Sequence, residues 1–247
     1  MISLYDLGPT AYPVGLGTSP HVRKIIFTLN YKQIPFKIEV LDVDDLEDTA
    51  KAVGAPHTSI LANGQPRYTV PFIKDHSTGK AISDSIVIAE YLDQAYPDTP
   101  KVFPDGTCVL QSVFMNYTGQ KVKMLSPMIL PKFDDLVPGF IDGRRKKYGG
   151  GPESPYPERP KLSEEQTKEM WGRAKASFAE LEGAYGKEEL WVIGDRPVYA
   201  DFVLSVVFVT MMIAFGEESE EWKNVRGWAG GRIGRLVDGV LKYRSVD

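Results

Sequence analysis

Ser19 followed by Pro20 is where chemistry is most readily placed in this chain. The pair opens a helix a few residues after an N-terminal strand, because serine favours the cap and proline the first helical position. A hydroxyl there meets free backbone N–H groups and the positive helix end, a setting that favours an anion such as a thiolate. The same pair also serves as plain helix punctuation. Val70-Pro71 and Asp84-Ser85 are two further features suited to holding a small peptide beside that hydroxyl. A cis Val70–Pro71 bond would turn the Val70 N–H and C=O outward, where an extended peptide could pair with them, whereas a trans proline would simply start a strand. Asp84 and Ser85 either satisfy first-turn N–H groups, or Ser85 and those groups receive an α-carboxylate with Asp84 near its ammonium.

The elements around these residues read clearly. Ile2 to Tyr5 forms a short strand, and a Gly/Pro/Thr-rich loop follows from Gly8 to Thr18. Val22, Ile25, Ile26 and Leu29 are spaced as one buried helix face. Phe36 to Val40 alternates as a strand, so strand, helix and strand form a βαβ unit with parallel strands. Asp42 to Val53 suits a short helix. Pro71 to Asp75 and Lys80 to Ile82 make a hairpin around the His76–Gly79 turn, and Ser83 caps a helix running to about Tyr96. The order βαβ-α-ββα predicts an α/β thioredoxin-like domain over residues 1–97. No GxGxxG loop follows the first strand.

Beyond a Pro/Asp/Gly connector, Tyr96 to Gly106, the chain reads as an all-α domain over 106–247. Its helices cover about Thr107 to Asp135, Ser163 to Gly186, Ala200 to Phe215 and Glu218 to Tyr243. A long Gly/Pro-rich insertion around 138–160 carries Arg144-Arg145-Lys146-Lys147, a run that suits a solvated surface or an acidic or phenolic ligand. Gly149-Gly150-Gly151 lacks the Lys-Ser/Thr of a phosphate loop. Cys108, among Val109, Leu110 and Val113, is expected to be a buried structural thiol. Met115, Met124, Met128, Met211 and Met212 suit core filling.

Composition excludes several classes. The 247 residues carry 43% hydrophobic and 25% charged side chains, ordinary for a globular chain long enough for two modest domains. A net charge of −4 makes no electrostatic case for nucleic acid or an anionic membrane. One cysteine excludes an internal disulfide framework and suits a reducing compartment, so the expected location is cytoplasmic. No secretory signal is legible, and the apolar run Phe202–Phe215 falls short of the ~20 residues that span a bilayer. The three histidines, His21, His57 and His76, show no metal spacing, and no metal is expected.

Ser19 to Lys24, Thr69 to Ile73 and Ile82 to Leu92 together resemble the N-terminal domain of a cytosolic glutathione transferase. Gly194 to Phe202 is similar to the segment that opens the family's buried central helix, so the resemblance covers nearly the whole chain. One departure is Val198, where the family usually has Ser or Thr; the reciprocal capping box with Asp201 is then incomplete. Ser19 stands where cysteine-bearing, omega-like members carry their thiol. The whole chain looks closest to the fungal etherase-like FuA transferases.

The resemblance implies a homodimer, with glutathione as co-substrate and active sites between the two domains. It implies that Val70, beside Pro71, pairs with the cysteinyl backbone and that Asp84 and Ser85 hold the γ-glutamyl end. His57 and Arg67, 14 and 4 positions before Pro71, are candidates for the glycyl carboxylate. Tyr117 and Lys121 then line the pocket for a hydrophobic, aromatic co-substrate, or simply pack the core or the dimer interface.

A serine is too weak an acid to deprotonate glutathione, whose thiol pKa lies near 8.5. Its hydrogen bond to a charged sulfur contributes roughly 1.5–3 kcal/mol, and the helix end roughly 0.3–1 kcal/mol. At 1.36 kcal/mol per unit, about 1–2 units of acidification follow. The bound thiolate then attacks an electrophilic carbon or displaces an aryl ether. Thr18 is a rival donor, with Tyr5 and Tyr12 more distant. Thiol–disulfide chemistry needs an enzyme cysteine, absent here. The expected function is a serine-type glutathione transferase acting on aromatic electrophiles in detoxification, by conjugation, aryl-ether cleavage or peroxidase activity. The alternative is a glutathione-dependent carrier of aromatic ligands such as polyphenols.

Overall fold

The computed structural model describes residues 1–8, 19–61, 63–136, 142–143, 145–146, 162–185 and 189–246. Thr18 and Tyr12, and nearly all of the 138–160 insertion, lie outside the described residues. Two compact units are present: Met1–Cys108 with Val240–Asp247, and Val109–Gly239.

In the first unit, β1 (Ile2–Leu7), α1 (Pro20–Tyr31) and β2 (Phe36–Leu41) form the expected βαβ unit, with β1 and β2 parallel. Then follow α2 (Leu46–Val53), β3 (Ser59–Ile60), β4 (Pro66–Arg67), β5 (Phe72–Asp75), β6 (Ala81–Ser83) and α3 (Ser85–Ala95). The four-stranded sheet has the order β2-β1-β5-β6, with β5 antiparallel to both neighbours. This is the thioredoxin-like arrangement, with the small β3-β4 hairpin as an unforeseen addition. Val22, Ile25, Ile26 and Leu29 of α1 are all buried, with Ile2, Leu4, Ile73, Ile88 and Leu92. A buried ion pair, Lys32 Nζ to Asp93 Oδ1 at 2.7 Å, joins the segment after α1 to α3. Asp93 also accepts the N–H groups of Val102 and Phe103 at 3.1 and 2.7 Å, which fixes the connector. The C-terminal tail is held by Asn30, whose Nδ2 donates to the Tyr243 and Ser245 carbonyls, each at 2.7 Å.

The second unit is helical: α4 (Cys108–Lys123, whose first residue belongs to the first unit), α5 (Ser126–Leu136), α6 (Glu164–Ala184), α7 (Tyr199–Phe215), α8 (Glu220–Arg226) and α9 (Arg232–Leu241, ending in the first unit). Two of the expected helices are in fact pairs. The first breaks at Met124-Leu125, whose N–H groups turn back to Lys121 and Val122, just before Pro127, which suits only a first turn. The last breaks at Gly227–Gly231, where Ala229, Gly230 and Gly231 take positive φ. The α7 helix is buried almost throughout, packed by Phe178 edge-on to Phe208 with ring centroids 5.1 Å apart. Asp201 Oδ2 accepts the Val198 N–H at 2.9 Å, and Val198 has no side-chain acceptor to return, so half a capping box closes α7.

Cys108 is a correction. It is exposed, as are Val109, Leu110 and Val113. These apolar residues share one face of α4 that no described element covers, so the thiol is not a core residue. Ser83 is a second: it ends β6, and Asp84 caps α3. The cap passes to Asp84 because its own φ of 76° makes the turn from strand to helix, aiming Oδ1 at the Ile86 N–H, 2.9 Å away.

Candidate active site

Strand register gathers the candidate residues at one edge of the sheet. Tyr5 of β1 lies opposite Phe72, and Phe72 lies opposite Ser83. The next positions, Asp6, Pro71 and Asp84, therefore come to the same end of three adjacent strands. Asp6 links this end to α1, because its Oδ1 accepts both the Leu7 N–H at 2.7 Å and the Ser19 N–H at 3.4 Å. Asp6 is only 1% exposed, and sequence reasoning gave it no role. The available signal was an acidic residue inside an otherwise apolar strand.

Ser19 occupies the N-cap of α1 in extended backbone, and its side chain makes no cap hydrogen bond. Among the described residues the hydroxyl is thus uncommitted. Pro20 has no N–H and the Ser19 N–H is taken by Asp6. The N–H groups of His21 and Val22 come next and have no acceptor among the described residues. No acidic side chain occupies the first turn to neutralise the helix end. A hydroxyl, two open N–H groups and an unopposed dipole can hold an anion there. Of the rival donors, Tyr5 lies among the described residues; its ring stacks on Phe72, with centroids 4.4 Å apart, and burial raises its pKa.

The Val70–Pro71 bond is cis. Val70 is buried, and neither its N–H nor its C=O takes a partner among the described residues. The two candidates for a carboxylate lie before it, Arg67 on the β3-β4 hairpin and His57 just ahead of that hairpin. Arg67, half-buried on β4, accepts the Thr58 N–H on its carbonyl at 2.9 Å, and exposed His57 stands edge-on to Tyr68 at 6.3 Å.

Across the sheet edge, Ser85 is 9% exposed and its hydroxyl has no partner among the described residues. Its N–H and that of Val87 are also open, since Asp84 satisfies Ile86 and Ile88. Asp84 holds a positive φ that is uncommon outside glycine, although aspartate tolerates it better than most. The helices that start at these two points, α1 and α3, pack against each other.

Tyr117 and Lys121 lie in the second unit. Lys121 Nζ donates to the Ser177 carbonyl at 2.9 Å, the Ser177 hydroxyl at 3.2 Å and Glu180 Oε2 at 2.5 Å. Tyr117 donates its hydroxyl to the same Glu180 oxygen at 2.8 Å, leaving its ring half exposed. These bonds commit the ammonium to joining α4 and α6. A cavity of about 390 Å³ at the start of α6, lined by Leu162, Glu164, Thr167, Lys168 and Trp171, includes none of the candidate residues. Among the described residues, no cluster of His, Cys, Asp and Glu could hold a metal ion, and no helix is long and apolar enough to cross a membrane.

Known proteins agree with this architecture. The family model described as glutathione S-transferase, N-terminal domain, matches residues 18–95, and that described as glutathione S-transferase, C-terminal domain, matches residues 110–243. The glutathione S-transferase-like protein ustS of Aspergillus flavus is 28% identical over 98% of this chain and 90% of its own length. A glutathione S-transferase of Ceriporiopsis subvermispora, crystallised in complex with glutathione, is 33% identical with a TM-score of 0.85, covering 100% of this chain and 98% of that one. Glutathione transferase GSTFuA3 of Phanerochaete chrysosporium follows at 27% identity and a TM-score of 0.83, again over 100% and 98% of the two chains.

Proposed function

Because the chain belongs to the glutathione S-transferase family, we propose that it is a serine-type transferase that binds glutathione and acidifies its thiol. The observation that carries this reading is the uncommitted Ser19 hydroxyl at an unopposed helix N-terminus. In this reading the hydroxyl and the His21 N–H donate to the sulfur. The open N–H and C=O of Val70 pair with the cysteinyl backbone. Ser85 receives the γ-glutamyl carboxylate, Asp84 faces its ammonium, and Arg67 with His57 meets the glycyl carboxylate.

The bound thiolate then attacks a hydrophobic, aromatic electrophile. Carbon–sulfur bond formation expels a halide or aryl oxide, or joins the sulfur to an electron-poor carbon. Tyr117 offers an exposed aromatic ring for that co-substrate, whereas the Lys121 ammonium is already spent on Ser177 and Glu180. The exposed face of Val109, Leu110 and Val113 on α4 supports a homodimer. An exposed thiol at Cys108 suits a reducing cytoplasm, and the fungal relatives suit a role in detoxification.

The test is turnover of aryl halides, thiocyanates and β-aryl ethers with glutathione, run beside ligand-induced shifts in melting temperature. Product formation supports the transferase. Shifts by aromatic ligands without any product would favour the carrier reading instead.

A further inference from the structure

Among the described residues, serine stands at the N-cap of three helices, and only Ser19 leaves its hydroxyl out of the cap. Ser163 Oγ accepts the Gln166 N–H at the start of α6, and Ser219 Oγ accepts the Trp222 N–H at the start of α8, each at 3.1 Å. Both reach three residues along the chain, as a serine cap ordinarily does. The equivalent group for Ser19 is the Val22 N–H, which has no acceptor among the described residues. The backbone differs as well, with ψ of 118° at Ser19 against 165° at Ser163 and 150° at Ser219.

What separates the three serines is the destination of their own N–H. Ser163 donates to its helix, at Gln166 Oε1, and Ser219 donates to the Gly216 carbonyl just before it. Ser19 donates instead to Asp6 Oδ1 on β1, a carboxylate that is 1% exposed and also held by the Leu7 N–H at 2.7 Å. Pro20 confines Ser19 to extended backbone, but all three serines are extended, so the proline does not account for the difference. Released from Asp6, Ser19 could turn to the ordinary cap. Its oxygen would then stand over the first turn and take the Val22 N–H that an anion needs. A buried negative charge works against a thiolate nearby, so the useful part of Asp6 is its acceptor oxygen.

We propose that Asp6 is a positioning residue: by holding the Ser19 N–H it stops Ser19 from capping its own helix, and so keeps the hydroxyl and the Val22 N–H for the sulfur of bound glutathione. This rests on the reading of Ser19 as the donor to sulfur.

The experiment follows the ultraviolet absorbance of bound glutathione thiolate against pH, and kcat with an aryl halide at pH 7, in Asp6→Val, Asp6→Asn, Ser19→Ala and the double variant Asp6→Val/Ser19→Ala. Asp6→Val removes the acceptor and should raise the bound thiol pKa and lower kcat by about fivefold, the worth of one serine cap. Asp6→Asn keeps an acceptor oxygen and should rescue both. In the Ser19→Ala background Asp6→Val should cost nothing further, because Asp6 acts through Ser19. A thiol pKa unmoved by Asp6→Val, or losses that multiply in the double variant, overturns the proposal. Should the valine variant not fold, Asp6→Asn decides: a thiol pKa at or below the wild-type value supports the proposal, and a raised one overturns it. If Ser19→Ala itself leaves the bound thiol pKa unchanged, the reading of Ser19 fails, and this proposal with it.

Discussion

The backbone N–H of Ser19 donates to Oδ1 of Asp6 at 3.4 Å, which leaves the hydroxyl as the one polar hydrogen of Ser19 still to be used. The strand end thereby holds the helix start without consuming the Ser19 hydroxyl. A serine that capped its own helix would be a poorer donor to sulfur, because its oxygen would already be aimed at the His21 or Val22 N–H.

Ser19→Ala removes a hydrogen bond to a charged sulfur, roughly 1.5–3 kcal/mol of thiolate stabilisation; because about 3% of a thiol of pKa 8.5 is ionised at pH 7, the rate there should fall by about 10- to 30-fold. The peptide contacts proposed for Val70, Asp84 and Ser85 are untouched, so glutathione affinity should change little. The deficit should shrink as pH rises above the free thiol pKa of about 8.5, where thiolate forms without help. Steady-state kinetics across pH check this, and a deficit independent of pH would contradict it.

Ser85→Ala should act on the other parameter. It deletes an unpartnered hydroxyl and leaves the sulfur site intact. Glutathione affinity should fall by about tenfold, the worth of a hydrogen bond to a carboxylate, with turnover at saturation nearly preserved. Calorimetry and kcat measured on one preparation separate the two effects.

Asp201 links stability to pH. Burial pushes its pKa up to about 7, against the Val198 and Val192 N–H donors and Arg232. The folded chain thus holds a proton that the unfolded chain releases near its ordinary value of 3.8. Folding stability from this group is fully present below about pH 4 and is lost as pH rises through about 7. Asp201→Asn should flatten that slope in denaturant midpoints between pH 4 and 7, at the cost of a weaker cap to α7.

Two glycines should respond oppositely to alanine. A Cβ on Gly239 would stand 2.6 Å from Trp191 Cη2, and the clash outweighs the ~1 kcal/mol gain in helix propensity. A net loss of about 1–2 kcal/mol is expected. At Gly172 on α6 a Cβ meets nothing within 4 Å, so alanine should stabilise by about 0.5–1 kcal/mol. Thermal melts of both variants check the pair.

Much of the first unit was legible because its signals are local. The spacing of Val22, Ile25, Ile26 and Leu29 marks a helix face, and the alternation from Phe36 marks a strand. The β3-β4 hairpin escaped notice because two-residue strands such as Ser59–Ile60 carry no period. Val109, Leu110 and Val113 look like core in sequence, but hydrophobicity does not tell a core face from a face left open. The turn of the chain at Asp84, through a positive φ, is likewise not a property of residue type alone. Within the site, motif residues were visible and their supports were not. Asp6 acts through a contact 13 positions away.

The most direct measurement is the pKa of glutathione's thiol while bound, followed by thiolate ultraviolet absorbance against pH in the wild type and in Ser19→Ala. A wild-type value about 1–2 units below that of free glutathione, returning most of the way in the variant, is the expected result. An identical bound pKa in the two proteins would contradict the assignment of the sulfur to the Ser19 hydroxyl.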